Sequence, residues 1–134
     1  MVNLATGQPV SASGEYQNNA ARNAVDGNPK TAWNAGGYPS QWIVIDLESD
    51  ATIYSVRLLT GQNPAGPTVH QIVAWDSDTE PRVLHVFDGH TSDSQWLTYQ
   101  PEDPIPQTRY IAIETVSSPS WVSWFEIEVN GHAN

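Results

Sequence analysis

Cysteine is absent from the 134 residues. That removes disulfide staples, thiolate nucleophiles and cysteine-based zinc sites, and it leaves the redox compartment open. Basic residues are scarce: five Lys and Arg stand against fifteen Asp and Glu, a formal net charge of −10. Arg22, Lys30, Arg57, Arg82 and Arg109 are scattered, whereas phosphate-backbone binding needs them clustered. The composition therefore argues against nucleic acid, an anionic membrane or an acidic glycan as partner. An acidic excess suits an exported domain, a bound cation, a neutral or cationic ligand, or plain solubility. No apolar run approaches the ~20 residues that cross a bilayer as a helix. No secretory leader is legible, and the Met-Val-Asn start is what a segment of a longer, exported protein would show. The expected location is secreted or cell-surface. At 134 residues the expected organisation is one domain, 1–134, large enough to bury a core unaided.

Helical periodicity is almost missing as well. Only "QNNAARNAV" (17–25) could hold a helical turn or two. What is present is a series of short runs rich in Val, Ile, Trp and Tyr, separated by Gly, Pro, Asn and Asp. Strands are expected at 41–47, 53–59, 68–76, 82–88, 94–100, 109–115 and 124–130, with an edge strand at 8–13. Their spacing points to an antiparallel β-sandwich or barrel. In the last run Phe125, Ile127 and Val129 should face one way, and Glu126, Glu128 and Asn130 the other.

The stretch "NAVDGNPKTAWNAGG" (23–37) is the most polar near the start. Asp26 supplies a hard carboxylate oxygen, Gly27 and Pro29 bend the backbone, and Thr31 adds a hydroxyl. Calcium is held by six to eight such oxygens. EF-hand spacing fails, because Thr31 stands where Gly is required and Gly37 where Glu is required. Any cation here must borrow a second carboxylate. An ordinary Asx-turn, with Asp26 bonded to backbone amides and Trp33 pinning the loop, accounts for the same residues.

Taken together, "NLATGQPVSASG", "NAVDGNPKTAWNA", "QWIVIDL" and "WFEIEVNG" resemble the discoidin, or coagulation factor V/VIII C-type, domain family, and within it carbohydrate-binding module family 32. The resemblance runs from Asn3 to Gly131. It implies an eight-stranded antiparallel jelly-roll sandwich, galactose-binding-domain-like, with close termini and binding loops at one end. It also implies a structural Ca2+. Carried over by residue, the ligands are the carbonyls of Asn23 and Asn28, the Asp26 carboxylate, Thr31 through carbonyl and hydroxyl, the Phe125 carbonyl, and Glu126 as the second carboxylate.

Sugar sites need an aromatic face and a few polar groups on rigid loops. Three loops qualify. Residues 34–40 offer Asn34 and Tyr38, residues 60–70 offer Gln62, Asn63 and His70, and residues 116–124 offer Trp121 with Trp124 close behind. Trp33, Trp42, Trp75 and Trp96 sit in or beside apolar runs and are expected in the core. His70 falls at a strand start, where a structural role competes. Galactose-binding relatives typically use a His from the first loop, an Arg and an Asn from the second, and an aromatic from the last. Here only Asn63 and Trp121 match, so the resemblance does not carry galactose specificity with it.

Catalytic patterns are missing. Glu126 and Glu128 would stand about 7 Å apart on a sheet exterior, and one is already claimed by the metal reading. Asp76, Asp78, Glu80, Glu102 and Asp103 fall in turns expected to be solvated. There is no nucleophile elbow, and His85 and His90 in "HVFDGH" have no zinc spacing. The expected function is a non-catalytic, lectin-like module that targets a larger parent protein to a glycan, neutral or amino-sugar rather than acidic. The alternative on the same fold is a protein- or cell-surface-adhesion domain without sugar binding.

Overall fold

The computed structural model describes residues 2–134; Met1, the first residue of the expected domain, lies outside them. Among the described residues nine strands form: β1 (Val2–Asn3), β2 (Val10–Ala12), β3 (Trp33–Asn34), β4 (Gln41–Thr60), β5 (Gly66–Trp75), β6 (Arg82–Thr91), β7 (Trp96–Tyr99), β8 (Ile105–Ser117) and β9 (Ser123–Ala133). A 3-10 turn at Ala21–Val25 is the one helical element among the described residues, and it falls inside the stretch expected to hold it.

All strand pairs are antiparallel. The two runs expected at 41–47 and 53–59 are arms of the single strand β4. Its first arm pairs with β2 and β8, and β8 continues through β5 to β6. Its second arm lies between β7 and β9, with β1 and β3 on the far edge of β9. Thus β4 crosses from one layer of a sandwich to the other. The register shifts at Ala51 and Ile53 mark the crossing. The expected sandwich is the observed one. Val2 opposite Gly131 brings the first and last strands together.

The core forms where alternation points both layers inward. Ile43, Ile45, Ile72, Ile111 and Ile113 face Val56, Leu58, Ile127, Val129, Trp33 and Trp124, all at most 1% exposed. Each such side chain removed from water contributes on the order of 1.5–3 kcal/mol. The same alternation places Trp42 outside, at 40% exposed, against the expectation of a core Trp. With Asp46 outward, period 2 also puts Val44 and Trp42 outward. Trp75 is half-buried and stacks on Tyr110 at 5.3 Å, while Trp96 lies under the Arg57 guanidinium at 4.1 Å.

Two further expectations need correcting. Strand β6 runs to Thr91, three residues past the expected 82–88, and so carries both His85 and His90. Asp76 is buried rather than solvated, and its Oδ1 accepts a 2.9 Å bond from the Asp78 amide to close the β5–β6 turn.

Candidate functional site

The antiparallel register determines which loops meet. Thr60 at the end of β4 faces Trp124 at the start of β9, and Leu59 faces Trp96 at the start of β7. Gly66 at the start of β5 faces Thr91 at the end of β6, and Val69 faces Ser117 at the end of β8. The β4–β5, β6–β7 and β8–β9 connections therefore emerge at one end. The 34–40 loop joins them because Asn34 pairs with Ser123.

Backbone bonds knit these loops together. Ala35 N donates to Val122 O (2.9 Å), Val122 N to Gly37 O (3.1 Å), Gly61 N to Ser123 O (3.0 Å) and Ser94 N to Thr60 O (2.9 Å). Gly61 is required for this approach, since a Cβ there would stand 2.7 Å from Ser123 Oγ. Between the loops opens a cleft of about 490 Å³.

Its walls hold Asn34, Tyr38, Asn63, Trp121, Asp93 and Phe125, together with Gly61, Pro64, Ser120 and Ser123. Four of the six residues expected to bind a ligand are thus brought together. Tyr38 is 60% exposed and Trp121 38%, the latter braced edge-on by Tyr16 at 5.1 Å. An indole held this way presents a fixed apolar face, which suits the C–H face of a sugar ring.

Gln62 and His70 do not line the cleft. The Gln62 side chain is buried, and its amide donates to Ser118 Oγ and Ser120 Oγ, both at 2.9 Å. It pins the loop that carries Trp121 from beneath. His70 is 3% exposed, its Nδ1 lies 2.8 Å from Thr115 Oγ1, and its ring packs against Trp124 at 4.8 Å. Burial pushes its pKa down to about 4, so it is neutral at physiological pH. Trp124 is likewise core.

Two wall residues were missed by the sequence reading. Asp93 sits in an ordinary polar turn, and only the register places that turn at this end. Phe125 was expected inward with Ile127 and Val129. A shift in the β4–β9 pairing, where Leu59 opposes Glu126 but Thr60 opposes Trp124, leaves Phe125 as an extra residue and turns it to the cleft.

The same bulge drives Glu126 inward, to 5% exposed, toward the Asp26 loop. There Asp26 Oδ1 accepts from Asn28 N (2.9 Å) and its Oδ2 from the Thr31 hydroxyl, which also donates to Asn28 O (3.1 Å). Glu126 Oε2 accepts a long 3.3 Å bond from Gly27 N, and Oε1 is buried without a partner. Burial, and then the neighbouring Asp26 charge, push the Glu126 pKa up to about 7. Two carboxylates facing each other, one with an orphaned oxygen, are donors that a hard cation would satisfy. Among the described residues no group of three or more His, Cys, Asp or Glu is placed to hold a metal, so backbone carbonyls would have to complete such a site. The residues present fit calcium. Asn23, whose carbonyl is among the expected ligands, directs its side-chain amide to Asn18 O and Ala32 O, both at 3.0 Å. Glu128, by contrast, pairs with Arg57 at 3.2 Å and makes no acid pair with Glu126.

Comparison with known proteins agrees with the fold. The sequence profile of the F5/8 type C domain matches residues 9–127. No curated protein sequence matches the chain. Among solved structures, a selenomethionine-labelled point mutant of chitosan-binding module 1, from a Paenibacillus chitosanase/glucanase, is similar at a TM-score of 0.81 and 23% identity, covering 97% of this chain and 98% of its own. The family 32 module of C. perfringens NanJ, solved with galactose, gives 0.80 at 18% identity, covering 96% and 97%. A Streptococcus pneumoniae fucose-binding module gives 0.76 at 18%, covering 98% and 99%.

Proposed function

The chain belongs to the F5/8 type C domain family, and from that premise we propose that it is a non-catalytic carbohydrate-binding module that takes its glycan in the loop-end cleft. The observation that carries this reading is the convergence of Trp121, Tyr38, Asn34 and Asn63 on one cleft, with Trp121 and Tyr38 exposed. Similar modules bind chitosan, galactose and fucose by their descriptions, which supports a sugar ligand of some class. The lining holds no Lys or Arg, which favours neutral or amino sugars over acidic ones. The module acts by tethering: a rigid loop end holds the glycan while a larger, secreted or cell-surface parent protein does its own work.

Calcium belongs to the same proposal. Asp26, Glu126, Thr31 and the carbonyls of Asn23, Asn28 and Phe125 would hold it. When bound, the ion supplies charge neutralisation for two carboxylates and a tie between the first loop and β9. The chain's own residues do the rest. Thr31 and Asn28 orient Asp26, and the bulge aims Glu126 inward while turning its neighbour Phe125 into the cleft.

A glycan-array screen of the calcium-loaded domain, with Trp121→Ala alongside, tests the main claim. Binding that vanishes in the variant is expected. Silence of the wild type across a broad array would instead shift the reading to protein adhesion.

A further inference from the structure

The cleft carries one charge, and that charge is negative. Of its ten lining residues only Asp93 is an acid, and none is Lys, Arg or His. Two of the five basic side chains are engaged elsewhere: Arg57 pairs with Glu128 and Arg109 with Asp46, at 3.2 and 3.0 Å. Neither Arg22, Lys30 nor Arg82 lines the cleft.

The carboxylate is also held in place. Asp93 Oδ1 accepts a 2.8 Å bond from the Gln62 backbone amide, which fixes the side chain against the β4–β5 loop. Ser94 N donates 2.9 Å to Thr60 O and anchors the backbone beside it. Oδ2 makes no bond within the described residues, so one oxygen serves the fold and the other is left for a ligand. The same cleft is lined by Asn34 and Asn63, and by the exposed rings of Tyr38 and Trp121.

We propose that the cleft is selective for an amino sugar, whose protonated 2-ammonium group is held by Asp93 while the pyranose ring lies on Trp121. This rests on the glycan reading above and names its substrate class. A neutral sugar offers Asp93 a hydroxyl, whose bond to the carboxylate is charge-assisted from one side only; an ammonium adds the attraction of two opposite charges in contact, which a partly water-excluded cleft strengthens. An ammonium beside exposed aromatic rings gains further from the ring quadrupole. The chain's net charge of −10 adds long-range attraction for a cationic ligand and repels uronic acids.

Titration calorimetry at pH 6 and low salt, on the calcium-loaded domain, tests it with three probes: a β-1,4-linked glucosamine trimer, its fully N-acetylated counterpart, and galactose. The glucosamine trimer should bind at least about tenfold more tightly than the acetylated one, in line with one charge-assisted bond. Asp93→Asn keeps the Oδ1 acceptor for Gln62, so its melting temperature should be unchanged while the preference collapses to within about threefold. On the wild type alone, glucosamine affinity should fall as pH rises through the sugar amine's pKa, and as salt rises. Binding of all three sugars at equal affinity, indifferent to Asp93→Asn and pH, overturns the amino-sugar assignment and leaves the lectin reading standing. Failure of every glycan to bind a folded wild type overturns both.

Discussion

Two polar loop regions meet at the start of β9, and they direct their polar groups in opposite ways. In the Asp26 loop nearly every group is turned onto another: Asn28 N and the Thr31 hydroxyl onto Asp26, Lys30 N onto Asn28 Oδ1, Gly27 N onto Glu126. In the cleft, the Asn63 side chain makes no such bond among the described residues, and Asn34 uses only its Oδ1, at 2.9 Å from Gly36 N. A loop that satisfies itself is a piece of architecture. A loop that leaves donors and acceptors aimed at solvent, on a scaffold stiff enough to hold them, is a place for a ligand. Both stretches are rich in Asn, Gly and Pro, so composition alone does not separate them.

The largest expected effect tests the architectural side. Calcium at a thousandfold above its dissociation constant would stabilise the native state by about 4 kcal/mol. For a domain of this size that is on the order of 10 °C in melting temperature. EDTA should reverse the gain, and Glu126→Ala or Asp26→Ala should remove it altogether. A calcium-loaded sample whose melting curve ignores EDTA would sink the metal reading while leaving the cleft reading intact.

Next in size is an acid effect from His70, the residue that looked like part of the site and is not. Its pKa falls from 6.5 to about 4 on burial. Above pH 6.5 neither folded nor unfolded chain carries the proton, and the stability is fully present. As pH drops from 6.5 through 4, the unfolded chain takes up a proton that the native state resists, and about 3 kcal/mol is lost. His70→Asn should flatten the slope of stability against pH in that window, whatever it does to the absolute level. An unchanged slope would mean that other groups dominate.

A smaller effect should separate support from contact. Gln62→Ala leaves the Ser118 and Ser120 hydroxyls without their shared donor, at a cost of about 1–2 kcal/mol. Since Gln62 sits beneath the Trp121 loop and not in the cleft, sugar affinity should fall only through loosening of that loop. Hydrogen exchange across residues 118–122 should quicken in parallel. A loss of binding with exchange unaltered would put Gln62 in contact with the ligand after all.

How much of this was legible in the sequence follows the same division. The strands, the sandwich and the Asp26 loop were readable because each depends on near neighbours in the chain: alternation of Val and Ile, turn residues, one acid between Val25 and Gly27. Trp42 was readable too, had the period been carried back from Asp46. Asp93 and Phe125 were not. Asp93 reaches the cleft through the pairing of β4 with β7, and Phe125 through a one-residue shift between β4 and β9. Both are properties of register across long stretches of chain, and no local pattern marks them. Gln62 fails for the opposite reason. A polar residue in a polar turn reads as exposed, and its burial appears only once the Ser118–Ser120 loop lies over it.

The finest distinction lies between two tryptophans of nearly equal exposure. Trp121 is 38% exposed and Trp42 40%, so accessibility alone would rank them as equal platforms. Trp42 lies on the outer face of the β4–β8–β5 sheet, beside Val44, Val73, Trp75 and Ala112, a hollow with Glu114 as its one charged wall residue. Trp121 stands among amides, hydroxyls and a carboxylate that can read a sugar's hydroxyls. Either change to Ala should cost only about 1 kcal/mol of stability, as expected for a half-exposed side chain. Binding should divide them. Trp121→Ala should abolish glycan capture, and Trp42→Ala should leave the dissociation constant within about twofold. If Trp42→Ala were the damaging change, the ligand would lie on the sheet face, and the loop-end cleft would lose its claim to the sugar.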